Sequence, residues 1–256
     1  MHKISREMAT AMLWALCCLG AASQARADIY DAAVAHPGRS AADLKRDQLD
    51  HPADILRLMG LKSGMRVADI LAGDGYYSEL ASYVVGPQGQ VLAINNAAFD
   101  GWSDGDRQTR LAGDRLPNVQ HQTVDLNDMH LAASSLDAVM LVKVYHDLYW
   151  VDSSGKWPKI DTSAVLAQLA AALKPGGVLL VVDHSAKAGR GSSDASVLHR
   201  IEEPFAVHDF ESHGFKLVAH SDVLRRPDDK RDQVSYRGVM LGKTDRFVLV
   251  FRKTAP

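Results

Sequence analysis

Cysteine is nearly missing from this chain of 256 residues: Cys17 and Cys18 are the two it has. Both fall in an N-terminal stretch with the pattern of a removable leader. Lys3 and Arg6 come first, an apolar run over residues 8–22 follows, and Ala25-Arg26-Ala27 ends it with small residues flanking a variable one. That order is the pattern of a secretory signal peptide, and the run is too short for a comfortable membrane span. Residues 1–27 are therefore expected to be removed and the mature chain to begin at Asp28. That places it in the periplasm or outside the cell, without stable membrane insertion. The mature chain then has no cysteine, which excludes disulfides, a thiol nucleophile and thiolate metal sites. A basic excess is missing too. Without the leader, 26 basic residues face 30 acidic ones, a net charge of −4, which argues against a surface for nucleic acid. There is no internal repeat, heptad array or low-complexity tract.

What is present is an alternation of apolar β-rich runs with helical patterns, the mark of a parallel sheet wrapped by helices. Residues 40–59 read as helical with a break at His51-Pro52. Strands are expected over 65–70, 90–94, 119–124, 136–144 and 178–182, with helices at 77–85, in the polar stretch carrying Arg107 and Arg110, and from Thr162 or Ser163 onward. Lys174-Pro-Gly-Gly177 is expected to stop that last helix. Residues 196–213 are expected to hold another helix. Two final strands, 215–223 and 246–251, lack a helix-length pattern between them and are expected to pair antiparallel. The fold class is α/β: a Rossmann-like, seven-stranded, mostly parallel sheet with a C-terminal antiparallel hairpin and helices on both faces. Residues 28–62 form an N-terminal helical segment covering the site, and 63–256 form the main domain.

The richest segment is Val67-Ala-Asp69-Ile-Leu-Ala-Gly73-Asp-Gly75, a strand, a tight glycine turn and a helix start. Glycines there permit backbone angles closed to other residues and let the chain approach a ligand. The helix that follows offers free N–H groups. Only two glycines are present and Asp74 sits between them, so a bound pyrophosphate would be repelled; a zwitterion suits the turn better.

This stretch resembles motif I of the class I S-adenosylmethionine-dependent methyltransferases. Lys174-Pro-Gly-Gly-Val-Leu and Val124-Asp125-Leu126 resemble two further segments of that class. The runs Gly73-x-Gly-Tyr-Tyr-Ser78, Tyr145-His-Asp-Leu148, Val182-Asp-His184, Leu198-His-Arg-Ile201 and Asp245-Arg-Phe-Val-Leu249 resemble, in order and spacing, a bacterial family of uncharacterised, exported predicted methyltransferases. The likeness covers the chain from about Asp47 onward. It implies S-adenosylmethionine as cofactor and a small-molecule methyl acceptor. It also implies that Asp69 and the backbone of Ala72, Gly73, Asp74 and Gly75 hold the methionine portion, that Asn95 meets the ribose hydroxyls, and that Asp125 and Leu126 meet the adenine. Lys143 joins that cofactor set. Leu71 stands where the class often has a first glycine, and Asn95 where it usually has an acid.

Ligands of open α/β sheets lie at the carboxyl ends of the strands. That rule selects Tyr145, His146, Asp147 and His184 as catalytic candidates, with a histidine as the base that takes a proton during transfer. No metal is expected: His208 and His213 are five apart, which puts them on different sides of a helix, and Asp183 and His184 point to opposite sides of a strand. Tyr149, Trp150 and Trp157, with Trp102, read as a lid on the acceptor side. The loop Arg225-Arg-Pro-Asp-Asp-Lys-Arg231 reads as a solvated hairpin tip. Two other functions remain open: an exported binding module that keeps the fold without turnover, and a nucleotide-dependent oxidoreductase. The second is disfavoured because the chain lacks both the three-glycine fingerprint and a Tyr-x-x-x-Lys pair.

Overall fold

The structure, a computed structural model, describes residues 28–254; the expected leader lies outside the described residues. Three short helices come first. Asp28 caps α1 (Ile29–Val34) and Ser40 caps α2 (Ala41–Asp50), each accepting backbone N–H groups of the first turn. His51 takes a left-handed φ of 44°, and Pro52 opens α3 (Pro52–Met59) in a new direction. Proline is tolerated at a helix start because its missing N–H has no helical partner there.

The alternating region follows as β1 (Arg66–Ile70), α4 (Tyr76–Val85), β2 (Gln90–Asn95), α5 (Ala97–Leu111), β3 (Val119–Thr123), β4 (Leu136–Val142), α6 (Thr162–Ala172) and β5 (Leu173–His184). The chain closes with α7 (Ala195–Leu198), α8 (Glu203–Ser212), β6 (Phe215–Ser221) and β7 (Arg246–Lys253). The sheet order is β3-β2-β1-β4-β5-β7-β6. β1 to β5 run parallel, and β7 is antiparallel to both its neighbours. The seven-stranded, mostly parallel fold read from the sequence is the one observed.

Strand residues alternate between two cores, as a sheet buried on both faces requires. Val139 and Leu141 of β4 join Leu179 and Val181 of β5 and Phe247, Leu249 and Phe251 of β7 on one face. Ala138, Met140, Leu180, Val182, Val248 and Val250 pack on the other, against Leu80 and Val84 of α4. Ile55, Leu56, Met59 and Leu61 enter this second core, so residues 28–62 are packed into the main body.

Local differences from the sequence reading have physical causes. Asp161, rather than Thr162 or Ser163, caps α6, accepting from the Ala164 N–H at 3.1 Å. The Thr162 hydroxyl instead donates to the Leu148 carbonyl at 2.8 Å. The helix expected over 196–213 is two helices, because His199 takes a φ of 50° and Pro204 lies in the first turn of α8. Lys174-Pro-Gly-Gly177 follows the helix as the irregular stretch of β5 between Leu173 and Val178, opposite the register shift between Leu136 and Ala138. The loop after Arg225 is no solvated tip. Asp229, its side chain 2% exposed, pairs at 2.8 Å with the wholly buried Arg200, a partner too distant in sequence for local charge patterning to reveal.

Candidate active site

β1 leaves the sheet through a turn in which Leu71, Gly73 and Gly75 have φ of 53°, 61° and 84°. Leu71 thus adopts the backbone conformation that glycine would, at a cost of about 1–2 kcal/mol for a side chain at positive φ. The turn is closed by its own bonds: Gly75 N–H to the Ala72 carbonyl at 3.0 Å and Ala72 N–H to the Ile94 carbonyl at 3.1 Å. Asn95, expected on a ribose, accepts from Gly73 N–H at 2.9 Å and donates to the Gly73 carbonyl at 3.0 Å and to Asp100 at 2.8 Å. Both amide hydrogens are used in clamping the turn, and Oδ1 accepts one bond, from Gly73. Asp74 accepts from Arg110 at 3.0 Å.

Asp69 is buried and accepts from the Ser78 hydroxyl of α4 at 2.7 Å. Burial pushes its carboxyl up to about 7, against the lowering effect of that hydrogen bond. Beyond β3, Asp125 turns back to accept from the Asn127 N–H at 2.9 Å, while Leu126 is buried in the core.

After β4 the chain passes through Lys143, at φ 63°. Its ammonium donates to Asp50 of α2 at 2.9 Å. Arg246 of β7 and Arg46 of α2 pair with the same carboxylate. Three cations thus share one anion. Burial and the positive charge of Arg46 bring the Lys143 ammonium down to about 8, even against Asp50. Burial works against ionised Asp50 as well, but the three cations hold its carboxyl well below the usual range. The Arg246 Nε is buried and has no hydrogen-bond partner.

A 3₁₀ turn, His146–Tyr149, carries the next candidates. The His146 ring places Nδ1 2.7 Å from Asp183 Oδ1, and its backbone N–H donates to Asp183 Oδ2 at 2.7 Å. On the other side, His146 Nε2 lies 3.2 Å from Asp147 Oδ1, which is itself 3.4 Å from His199 Nδ1. Burial disfavours the charged ring, yet Asp147 and Asp183 outweigh it and push His146 up to about 10. The two carboxylates thus favour positive charge at this ring. His184 goes the other way: burial and the nearby cations, His146 first, hold it well below 6.5. Its Nδ1 lies 2.7 Å from the Thr244 hydroxyl. Tyr145 belongs elsewhere. Its hydroxyl donates to Asp209 of α8 at 2.6 Å within the hydrophobic core, so its catalytic assignment is corrected to a packing role.

A cavity of about 450 Å³ opens at the carboxyl ends of β4 and β5. Lys143, His146, Asp147, His184 and Arg246 border it, facing an aromatic wall that includes Phe99, Trp102, Trp150 and Tyr236. Asp69, the Gly73–Gly75 turn, Asn95 and Asp125 do not. Phe99 lies between the two groups: a Cβ on Gly73 would sit 3.5 Å from its ring. The residues expected in a lid are brought together in part. Trp102 and Trp157 stack at 5.7 Å, with Trp150 5.2 Å from Trp157, but the Tyr149 hydroxyl turns inward to Asp209. Sequence reasoning gave no site role to Phe99, His199, Tyr236 and Arg246, although His199 and Arg246 lie in runs it singled out. They come from four distant segments and share no local spacing.

No family model matches the chain. Over 130 residues it is 27% identical to the ubiquinone/menaquinone biosynthesis C-methyltransferase UbiE of Saccharophagus degradans, covering 50% of this chain and 46% of that protein. The chain thus matches about half the length of the curated relatives it resembles. Among solved structures, a SAM-dependent methyltransferase from Aquifex aeolicus aligns with TM-score 0.57 at 20% identity, over 83% of this chain and 98% of that one. A structure described as a sarcosine dimethylglycine methyltransferase from Galdieria sulphuraria aligns with TM-score 0.56 at 15% identity, over 82% and 86%. At these identities the structural likeness establishes the methyltransferase fold.

Proposed function

We propose that this chain is an S-adenosylmethionine-dependent methyltransferase acting on a small aromatic acceptor of phenol or quinol type. The observation that carries this reading is the cavity at the strand ends. It combines a cation lacking part of its hydrogen bonding, a neutral imidazole and an aromatic wall in one space next to the β1 turn. The residues fit the cofactor. Arg246, with its unpartnered Nε, and Lys143 suit a carboxylate, since Asp50 offsets one of the three charges around it. Phe99 and Trp102 suit an adenine ring or the face of a sulfonium. When bound, the cofactor supplies an electrophilic methyl group. The protein's part is to align the acceptor, exclude water with the tryptophan wall and take up the acceptor's proton. His184, neutral and bordering the cavity, suits that last task better than His146. The aromatic lining, together with relatives named for quinone biosynthesis, supports the acceptor class.

Titration calorimetry with S-adenosylmethionine, then transfer of labelled methyl to a panel of phenols and quinols, tests the proposal. Binding with labelled product is expected; failure to bind the cofactor would overturn it. A binding module without turnover has one observation in its favour, the closed bonding of Asn95 and the glycine turn. Cofactor binding with no product on any acceptor would select that reading. We further place the protein in the periplasm or outside the cell on the leader pattern of residues 1–27. N-terminal sequencing of the exported protein should start at Asp28.

A further inference from the structure

His146, Asp147 and His199 each bring one ligand atom within 4.8 Å of the other two. The adjoining separations are 3.2 Å and 3.4 Å. Donors bound to one tetrahedral ion at about 2.0–2.1 Å stand about 3.4 Å apart. Two of the three separations therefore already match that spacing.

From this arrangement we infer a binding site for a first-row divalent transition ion, held by His146, Asp147 and His199 in the wall of the cavity. Two imidazoles and a carboxylate favour zinc, cobalt or iron over calcium or magnesium, which prefer all-oxygen shells. A second observation supports the site independently. Asp183 is wholly buried and fixed by two N–H groups, those of His146 and His184, while it also faces His146 Nδ1. A carboxylate on the far nitrogen of a ring is how metal-binding histidines are oriented. It leaves His146 Nε2 as the ligating atom. A third observation concerns His199. It holds a left-handed φ of 50°, unusual for a residue with a side chain, and its ring is braced between Trp150 at 5.1 Å and Tyr236 at 4.6 Å. The Ser235 hydroxyl donates to its carbonyl at 2.8 Å. Strained backbone held in place by packing is typical of a residue positioned for use.

All three donors border the cavity, so the remaining coordination positions open onto it. That deepens the proposed methyl transfer, on which this role rests. The ion would take the hydroxyl oxygen of the acceptor; the O–H bond breaks, the proton passes to the His184 imidazole, and the oxygen's electron pair stays on the metal-bound anion. Three protein ligands with an open position is the arrangement of catalytic rather than structural metal sites.

The test uses the full chain, stripped with chelator and titrated with zinc alone by calorimetry and with cobalt by visible absorption. One ion per chain is expected, with cobalt bands of tetrahedral or five-coordinate type. His199→Ala and Asp147→Asn should each weaken binding at least 10-fold, and Asp183→Asn by about 10–100-fold. Far-UV circular dichroism checks that each variant is folded. Absence of stoichiometric binding, or binding that survives all three substitutions, would overturn the site. A proton on His146 Nε2 as sole occupant, seen by NMR at saturating zinc, would do the same. Metal binding without S-adenosylmethionine binding would leave the site standing and remove the methyltransferase reading instead.

Discussion

Asp69 is a carboxyl group kept close to neutral by burial, with its pKa at about 7. An ammonium group nearby would favour its ionised form, so the residue is poised to respond to a zwitterionic ligand. The free protein bears a cost for this. Between about pH 4 and pH 7 the unfolded chain has released the proton while the folded chain keeps it, so stability falls as pH rises through that window. The full cost is on the order of 4 kcal/mol above pH 7. Asp69→Asn can still accept from Ser78 and cannot ionise. It should melt higher than the parent at pH 8 and equally at pH 4 in thermal scans, while losing S-adenosylmethionine affinity at least 10-fold by calorimetry. An offset that does not change with pH would contradict this account. His184 carries the other residue-level prediction. His184→Ala should keep cofactor affinity and lower turnover by about 10²–10⁴-fold, the usual range for a lost general base; an unchanged rate would exclude His184 as the proton acceptor.

At the level of elements, the turn between α4 and β2 depends on one residue that must be small. A Cβ on Gly89 would lie 2.5 Å from the Val85 Cβ and 2.7 Å from the Met65 carbonyl oxygen. Neither neighbour can yield easily, since Val85 is buried in the core and Met65 leads into the central strand β1. Gly89→Ala should therefore cost about 1–3 kcal/mol, the range for overpacking, read as a lower urea midpoint with the slope unchanged. Gly60 is the control. Unlike Gly89 it sits at positive φ, 71°, but nothing crowds its Cβ position, so Gly60→Ala should cost only backbone strain of about 1–2 kcal/mol. The β1 turn shares the positive φ, at Leu71, Gly73 and Gly75, and adds an amide clamp from Asn95.

Across the whole molecule, Asp50 joins parts of the chain that are far apart in sequence. It comes from the N-terminal segment and binds Lys143 after β4 and Arg246 at the start of β7, 196 residues away. Removing it strands buried cations, and breaking a buried ion pair from one side costs about 3–5 kcal/mol. For a chain this size Asp50→Ala should lower the melting temperature by about 10 °C. It should also weaken the binding of an anionic ligand less than it weakens the fold, because the cations themselves remain. Asp50 is ionised in the folded state far below its unfolded pKa, so its contribution is complete above about pH 4 and declines under acid. The difference in melting temperature between parent and variant should therefore shrink as pH drops below 4.

The strands, the glycine turn and the antiparallel close were legible in the sequence because each is a short-range signal. Apolar runs of strand length, Gly73 and Gly75 after β1, and a final pair without a helical pattern between them each act within a few residues. The same local logic found Lys143, His146, Asp147 and His184, because residues just past a parallel strand lie at the ligand-facing edge. What each of these residues touches depends on contacts between distant segments. Asp183 and Asp147 determine the protonation of His146; Asp209 on α8 takes Tyr145 into the core; Asn95 spends its amide on Gly73 and Asp100. His199 reaches His146 and Asp147 from 52 residues away along the numbering, where helical ligand spacing carries no information. Periodicity and turn chemistry, being local, specified the sheet and the edge where the cavity forms. Charge state, side-chain partnership and the convergence of three metal donors depend on through-space distance, which only the tertiary fold supplies.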